Sequence, residues 1–312
     1  FISHKLNEIV EITDRMTILR GGKSMGVYNT KDENPETISR LMVGRDVVLE
    51  VQKDKATPTD EILRVRDLEY VNEWGKKMLD RVSFSVRKGE ILGIAGVEGN
   101  GQKELVDMLF GFNTPNNGSI KVNGDEVIGL NQRKLREKKI SLVPEDRMLY
   151  GIAADATIQE NMLSDRISDK RYNKGLLFNL KAMENDTDEL IRQYTVLCKS
   201  REQKVGMLSG GNIQKLIVAR EIEQHSPLLI AAEPTRGVDI GAMEYIHNHL
   251  ISKRNNGEGV LLISSELSEI LKLSDRIYVI YEGKIVGEFT RSNVSEKKLG
   301  ILMMGGTLHE EA

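Results

Sequence analysis

Short apolar runs separated by turn residues and helical segments recur through most of the chain. The runs ILGIA (residues 91–95), PLLIAA (227–232) and GVLLISS (259–265) have the length and branched side chains of buried parallel strands. Segments with helical spacing follow them, which predicts crossover units and a parallel sheet. Residues 62–71 and 82–86 instead alternate apolar and polar positions, as half-buried strands do. The pattern predicts an α/β fold.

Two further stretches suggest how the chain is divided. Residues 155–225 are predicted to be mostly helical and to form a separate helical lobe. Residues 49–61 (LEVQKDKATPTDE) are charged, contain Pro58 and show neither helical nor strand periodicity. We interpret them as an interdomain linker.

The two ends of the chain repeat each other. Residues 2–30 align without a gap with residues 263–291, an offset of 263 − 2 = 261. Identical residues recur in the two copies: Leu6, Glu8, Ile9, Asp14, Arg15, Gly22, Lys23 and Gly26 as Leu267, Glu269, Ile270, Asp275, Arg276, Gly283, Lys284 and Gly287. The offset is the size of one α/β domain. We therefore expect a parent with two homologous domains, of which residues 1–48 are the end of the first and 62–312 the complete second.

Composition narrows the possible partners and compartment. The chain has 312 residues, a net charge of −3 and no basic excess, so a nucleic-acid partner is not expected. No run approaches 18 apolar residues, and the start, at Phe1, lacks the pattern of a signal peptide. The single cysteine, Cys198, allows neither a disulfide nor a cysteine metal site within one chain and is interpreted as a reduced structural thiol. The chain is predicted to be cytoplasmic, with only indirect membrane contact.

A glycine loop after the first apolar run is the strongest candidate for chemistry. In the phosphate loop G-x-x-x-x-G-K-[ST], backbone N–H groups hold phosphates, the lysine reaches their oxygens and the hydroxyl binds Mg²⁺. Gly96 and Gly101 have this separation, but Gln102 takes the lysine position and Lys103 the hydroxyl position. The loop is thus kept while its catalytic side chains are lost. A simple tight turn between strand and helix is the alternative interpretation.

Three other segments carry a family resemblance. MLSGGNIQKL (207–216), LLIAAEPTRGVDIGA (228–242) and ISHKLNEI (2–9) resemble the signature, Walker B with D-loop, and switch-histidine segments of ATP-binding-cassette (ABC) ATPases. The resemblance implies a P-loop NTPase with a parallel-sheet core, an antiparallel β subdomain and a helical subdomain. VEGNGQ, VPEDR (143–147) and AAEPTRG look like the second half of the tandem ATPase subunit that drives import of simple sugars and nucleosides.

The resemblance implies roles for individual residues. Tyr70 would stack on adenine, with a core aromatic as the alternative, and Glu233 would be the general base. Glu145, Ala232 and Ser265 stand where the family has the Q-loop glutamine, the Walker B aspartate and the switch histidine. His4 would be the switch histidine of the other site. The remaining nucleotide-binding candidates are the loop residues Gly96, Gly99, Asn100, Gly101, Gln102, Lys103 and Glu104, the signature residues Ser209, Gly210, Gly211 and Gln214, and Asp239.

The same resemblance implies a division of labour. In the family two domains pair head to tail, so Ser209 and Asp239 would serve the nucleotide site of the partner domain. The altered site here would bind ATP as a structural ligand. Hydrolysis at this site should be slow or absent, because phosphoryl transfer depends on charge neutralisation. Binding of Mg²⁺ at this altered site is doubtful. Lys103 either does part of the work of the metal or is a solvated lysine on the first turn of the helix.

The expected assembly is an importer ATPase at the cytoplasmic face of the membrane. Its partners would be the membrane permease subunits, the first nucleotide-binding domain and, indirectly, an extracytoplasmic solute-binding protein. The isolated fragment is expected to be soluble and inactive as an ATPase. Two alternatives stay open: a tandem ABC ATPase acting without a permease, and a nucleotide-binding regulatory module.

Overall fold

The computed structural model describes residues 1–3, 6–46, 53–174 and 177–308. Its helices are α1 (Leu6–Ile12), α2 (Pro35–Val43), α3 (Gln102–Leu109), α4 (Gln132–Glu137), α5 (Ile158–Leu163), α6 (Leu180–Gln193), α7 (Gly210–Ile222), α8 (Ile240–Asn255), α9 (Leu267–Leu273) and α10 (Glu296–Met303). Its strands are β1 (Arg15–Arg20), β2 (Lys23–Asn29), β3 (Glu61–Val71), β4 (Lys77–Arg87), β5 (Ile91–Ala95), β6 (Asn117–Val122), β7 (Asp125–Glu126), β8 (Ile140–Val143), β9 (Asn173–Lys174), β10 (Leu177–Phe178), β11 (Leu228–Ala232), β12 (Gly259–Ser264), β13 (Arg276–Tyr281) and β14 (Lys284–Thr290). Within these ranges no helix is both long and apolar enough to cross a bilayer.

A six-stranded sheet in the order β14-β13-β5-β12-β11-β8 forms the centre of the fold. All its neighbouring strands are parallel except the antiparallel pair β13 and β14. Strands β5, β11 and β12 are the three apolar runs of the sequence, and every residue in them is buried. Burial on both faces explains why these strands lack alternation. The predicted parallel-sheet core is therefore confirmed.

The two faces of this sheet are covered by different layers. On one face, a second sheet, antiparallel in the order β4-β3-β6-β7, shares a hydrophobic core with Leu92 and Ile94 of β5. On the other, a core that contains Ile91 and Ala95 includes buried residues of α5, α7 and α8. Helices α5, α6 and α7 lie in the helical segment, together with the hairpin β9–β10. The α/β fold with antiparallel and helical subdomains agrees with the prediction.

The sequence repeat is also a structural repeat. The order α1, β1, β2, 3₁₀ turn, α2 recurs as α9, β13, β14, 3₁₀ turn, α10. Each element of the first copy begins 261 residues before its counterpart, as Leu6 and Leu267 show for α1 and α9. Even the irregularity in strand pairing recurs, between Ile18 and Leu19 in one copy and between Val279 and Ile280 in the other. The first copy therefore has the local structure of the end of such a domain.

The two copies differ in what covers them. Strand β13 pairs with β5 as well as β14, whereas β1 pairs only with β2 among the described residues. Ile12 and Leu19 are 62% and 68% exposed, while their counterparts Leu273 and Ile280 are fully buried. Strand β1 therefore has an unpaired edge beside exposed apolar side chains that are core residues in the second copy.

The first copy and the segment after it contact the larger unit. Arg45 forms a 2.7 Å ion pair with Glu244 of α8. Residues 53–60 contain neither helix nor strand, yet Lys53 forms a 2.7 Å ion pair with Asp275. Burial lowers the pKa of Lys53. Of the predicted linker, the described part is therefore anchored by side chains; residues 49–52 lie outside the described residues.

Candidate functional site

The loop of residues 96–101, called the phosphate loop below, joins β5 to α3. Gly99 and Gly101 adopt φ angles of +92° and +107°, a region that favours glycine. A Cβ at Gly101 would lie 2.6 Å from the carbonyl oxygen of Met78. The backbone N–H of Glu282 donates to Asn100 Oδ1 over 2.9 Å, which ties the loop to the turn between β13 and β14. The loop shape is thus held independently of the two altered side chains.

Gln102 fills the inside of this loop. Its Nε2 donates to the carbonyl oxygen of Val97 over 3.0 Å. A Cβ at Gly96 would lie only 2.4 Å from Nε2, so glycine is required for this close approach. Gln102 Oε1 is buried without a hydrogen-bond partner among the described residues. The amide therefore keeps one acceptor available inside the loop and brings no positive charge.

Lys103 lies on the first turn of α3 and points along a cleft. Its Nζ is 2.9 Å from Oδ2 of the buried Asp107, and this hydrogen bond raises the pKa of Lys103. The cleft has a volume of about 280 Å³ and is also lined by Phe112 and Tyr150, whose ring centroids lie 4.7 Å apart with the rings tilted by 32°. Lys103 is therefore a protonated lysine held in place by a buried carboxylate.

Arg236 spans the mouth of the cleft. Its Nη1 is 2.5 Å from Glu145 Oε1, and its Nη2 is 3.6 Å from Glu98 Oε2 in the phosphate loop. A second arginine, Arg147, donates from Nη1 to the carbonyl oxygen of Arg236 over 3.1 Å. The guanidinium of Arg236 thus joins the phosphate loop to the segment that follows β8.

The carboxyl end of β11 brings Ala232 and Glu233 to the floor of the cleft. Ala232 offers only a methyl group. Glu233 has a φ angle of +47°, and its Oε1 accepts a hydrogen bond from the backbone N–H of Ser265 over 2.7 Å. Burial raises the pKa of Glu233. The candidate base is therefore fixed by the Ser265 backbone, and the Ser265 side chain brings no imidazole.

The signature residues lie at the start of α7. Ser209 is the N-cap of this helix, and its Oγ accepts from Asn212 Nδ2 over 2.9 Å instead of capping a backbone N–H. Gly210 and Gly211 begin the helix, so their N–H groups face outward from its first turn. Gln214 is buried and donates to the carbonyl oxygen of Pro234 over 2.8 Å. The exposed part of the segment is thus Ser209 and the N-terminus of the helix.

Several predicted residues lie away from the cleft. Tyr70 pairs with Leu79 in the antiparallel sheet, where it is partly buried against the core. Glu104 does not line the cleft, and Asp239 caps α8 by accepting from the N–H of Ala242 over 2.9 Å. His4 lies outside the described residues.

Sequence reasoning missed Phe112, Tyr150, Glu98 and Arg236 as site residues. Arg236 was visible in the quoted AAEPTRG segment, but its partner Glu145 is 91 residues away. The two residues meet because β8 and β11 are neighbouring parallel strands whose carboxyl ends share one edge of the sheet.

A comparison with protein families identifies the family to which this site belongs. The family described as ABC transporter matches residues 79–236, just over half of the chain and the whole path from the phosphate loop to Arg236. The chain belongs to the ABC transporter family.

Its relatives include import ATP-binding proteins. The chain is 38% identical to the glucose import ATP-binding protein TsgD13 of Haloferax volcanii, over 98% of the chain and 56% of the relative. It is 39% identical to the nucleoside import ATP-binding protein NupA of Lactococcus lactis, over 99% of the chain and 61% of the relative. It is 41% identical to the guanosine import ATP-binding protein NupO of Bacillus subtilis, over 96% of the chain and 59% of the relative. The chain therefore spans about three fifths of the length of these curated relatives.

Solved ABC structures share the fold. One, described as the ATP-binding subunit of an ABC transporter, has a TM-score of 0.64 at 21% identity and covers 78% of this chain and 99% of that one. Another is a dimeric ATP-binding cassette in a post-hydrolysis state bound to ADP and phosphate. It has a TM-score of 0.65 at 18% identity and covers 74% of this chain and 99% of that one. These likenesses confirm the ABC ATPase fold.

ABC ATPases bind ATP, normally with Mg²⁺, but the residues in this cleft do not fit the metal. Mg²⁺ requires oxygen ligands in octahedral geometry. At the positions where the family supplies them, Lys103 has only donors, Ala232 has no polar atom, and Glu145 is already bound to Arg236. The usual hydroxyl and aspartate ligands are therefore missing, and the other carboxylates that line the cleft, Glu98, Asp107, Asp146 and Glu233, each have a hydrogen-bond or ion-pair partner.

Proposed function

We propose that the chain is part of the ATP-binding subunit of an ABC importer for simple sugars or nucleosides. In this assignment residues 1–48 end a first nucleotide-binding domain, 49–61 are the linker and 62–312 are the second domain. The similarity to the glucose, nucleoside and guanosine import proteins supports the solute class. Partial coverage of these relatives is consistent with a two-domain parent.

The observation that carries the proposal is the structural repeat with its uncovered edge. The first copy repeats the elements at the end of the larger unit, but among the residues that the structure describes β1 has no neighbour corresponding to β5 beside β13. Unpaired strand edges with apolar flanks are normally covered in folded proteins. A first domain with its own counterpart of β5 would pair with β1 and bury Ile12 and Leu19.

The second domain would contribute differently to two nucleotide sites. Its own phosphate loop binds ATP that is held rather than hydrolysed, since Gln102, Ala232 and Ser265 replace a lysine, an aspartate and a histidine. Its signature segment, with Ser209 exposed at the start of α7, closes over the phosphate loop of the first domain. His4 belongs to that first site, as does Asp239 through its position beside the signature segment.

A permease surface is proposed beside the cleft. Met148, Leu149 and Tyr150 lie on a π-helical turn, Arg147–Gly151, that begins two residues after Glu145, and all three are exposed. Exposed apolar side chains next to a nucleotide cleft suit contact with a membrane subunit, and π-helical turns are frequent at functional sites. The importer would then lie at the cytoplasmic face of the membrane, with the solute-binding protein outside and no direct contact to it.

The substitution Ser209→Arg tests this arrangement. In the intact parent, reconstituted in vesicles with its permease, a bulky cation at the start of α7 should block closure over the first phosphate loop. We expect steady-state ATP hydrolysis to fall on the order of 10²-fold or more, the scale of losing a direct stabiliser of the reacting phosphate.

Ser168→Arg is the matched control, because Ser168 is an exposed serine of the same helical lobe far along the chain from the signature. It should leave hydrolysis near the wild-type rate. Equal activity of the two variants would reject the role of the signature segment. Failure of the parent to co-purify with any permease, with normal hydrolysis, would favour a tandem ATPase that works without one.

A further inference from the structure

We infer that the cleft beside the altered phosphate loop binds a nucleoside triphosphate without Mg²⁺, with Arg236 and Lys103 as fixed cations in place of the metal. This inference rests on the proposed nucleotide site at that loop. It specifies the chemical form of the ligand, which is the metal-free polyphosphate, and it assigns a binding role to Arg236.

The carboxylates of the cleft are already engaged. Asp107 holds Lys103, and Glu145 and Glu98 face Arg236. Asp146 accepts hydrogen bonds from the N–H groups of Met148 and Leu149 over 3.0 and 2.9 Å, and Glu233 accepts from Ser265. A divalent cation entering the cleft would compete with these partners and be repelled by the two positive side chains, Lys103 and Arg236.

Arg236 joins two segments that line the cleft. Its guanidinium lies between the phosphate loop and the segment after β8, within 3.6 Å of Glu98 and 2.5 Å of Glu145. A guanidinium has five N–H donors, and these two carboxylates use only part of them. Arginine binds phosphate oxygens in a bidentate manner, so the free donors suit a polyphosphate lying along the loop.

Lys103 also lines the cleft and supplies the second charge. Its ammonium starts from the first turn of α3, and the buried Asp107 four residues later fixes its direction. The N-terminus of α3 and the glycines of the loop add backbone N–H donors to the same space. The triphosphate would then be bound by one guanidinium, one ammonium and backbone N–H groups.

The experiment is calorimetric titration of the 312-residue chain with ATP, once with excess Mg²⁺ and once with EDTA. Under the proposed assignment the altered site is the one phosphate site within these residues, so the titration measures that site. We expect the two dissociation constants to agree within about threefold, because no metal ligand is lost on chelation.

Two variants distinguish ATP binding by the side-chain cations from ATP binding through the metal. Arg236→Gln should weaken ATP binding in EDTA about tenfold or more, the scale of losing a charged hydrogen bond. With Mg²⁺ the same variant should recover much of its affinity, because Glu98 and Glu145 are released to act as metal ligands. Lys103→Ala should weaken binding in both conditions. Arg133→Gln, on the exposed face of α4, is the control and should change neither constant.

The outcomes are distinguishable. Wild-type binding that is tight only with Mg²⁺ would overturn the inference and leave the proposed nucleotide site intact. Wild-type binding that is absent in both conditions would overturn the nucleotide site itself. Arg236→Gln binding as tightly as wild type in EDTA would remove Arg236 from the site. Thermal unfolding of each variant shows whether a loss of binding comes from a loss of folding.

Discussion

Glu233 combines two features that are costly for a glutamate. Its backbone lies in the left-handed region, which is uncommon for residues other than glycine, asparagine and aspartate. Its side chain is half-buried, and burial raises the pKa of its carboxyl group, while the N–H of Ser265 acts in the opposite direction. The folded state therefore holds the charged form of Glu233 less well than water does.

This balance gives a pH-dependent prediction for Glu233→Gln. Because the folded pKa is raised, the folded state keeps a proton that the unfolded state loses, so stability falls as the pH rises from about 4.5 through the folded pKa. Glutamine avoids this loss and can still accept the Ser265 N–H. The variant should therefore be more stable than wild type at pH 8, with the difference shrinking towards pH 4.5, as urea unfolding of the chain at several pH values would show.

Glu73→Gln, in the exposed turn between β3 and β4, provides the comparison for this measurement. It should change stability equally little at every pH. If Glu233→Gln gave no gain at pH 8, the charged form of Glu233 would be well accommodated and its burial would carry no energetic cost.

At the scale of elements, the sequence determined the main architecture because burial leaves a visible pattern. The fully apolar runs predicted the central parallel strands, and the ungapped repeat predicted two related copies, whose elements recur in the same order. The glycine spacing likewise located the phosphate loop. The Glu145–Arg236 pair could not be predicted in this way, since it depends on which loops meet at the carboxyl edge of the sheet. The hydrophobic periodicity of the two segments does not indicate that these loops contact each other.

The repeat also gives a matched pair of core substitutions, Leu19→Ala and Ile280→Ala. In the isolated chain Ile280→Ala should cost about 2–5 kcal/mol of unfolding free energy, because it leaves a cavity in a packed core. Leu19→Ala should change it by no more than about 0.5 kcal/mol, since Leu19 is exposed there. Urea unfolding followed by circular dichroism measures both.

The same pair tests the tandem arrangement when it is made in the intact parent. If a first domain covers β1, Leu19→Ala should become a cavity-forming substitution and destabilise that domain on the scale of Ile280→Ala. A cost that stays small in the parent would show that the β1 edge is not covered by a neighbouring strand.

At the scale of the whole molecule, the proposed arrangement divides the catalytic groups between two sites. The described phosphate loop carries Gln102 in the lysine position, the proposed base Glu233 follows Ala232, and Ser209 of the signature segment is exposed. Hydrolysis requires positioning and charge neutralisation within one site, so under this proposal the groups of one copy do not act together.

The isolated chain is therefore predicted to bind ATP without turning it over. Two copies pairing head to tail would not repair the defect, because each would offer its signature to a loop that carries Gln102 instead of lysine. A phosphate-release assay on the purified chain should give the background rate, both at low protein concentration and at concentrations that favour pairing. The proposed two-domain parent, assayed in parallel, should be active, because its first site would combine its own loop with the Ser209 signature. Turnover by the isolated chain of about 1 per second or more, a typical enzyme rate, would mean that the altered site is catalytic. The asymmetric assignment of the two sites would then be wrong.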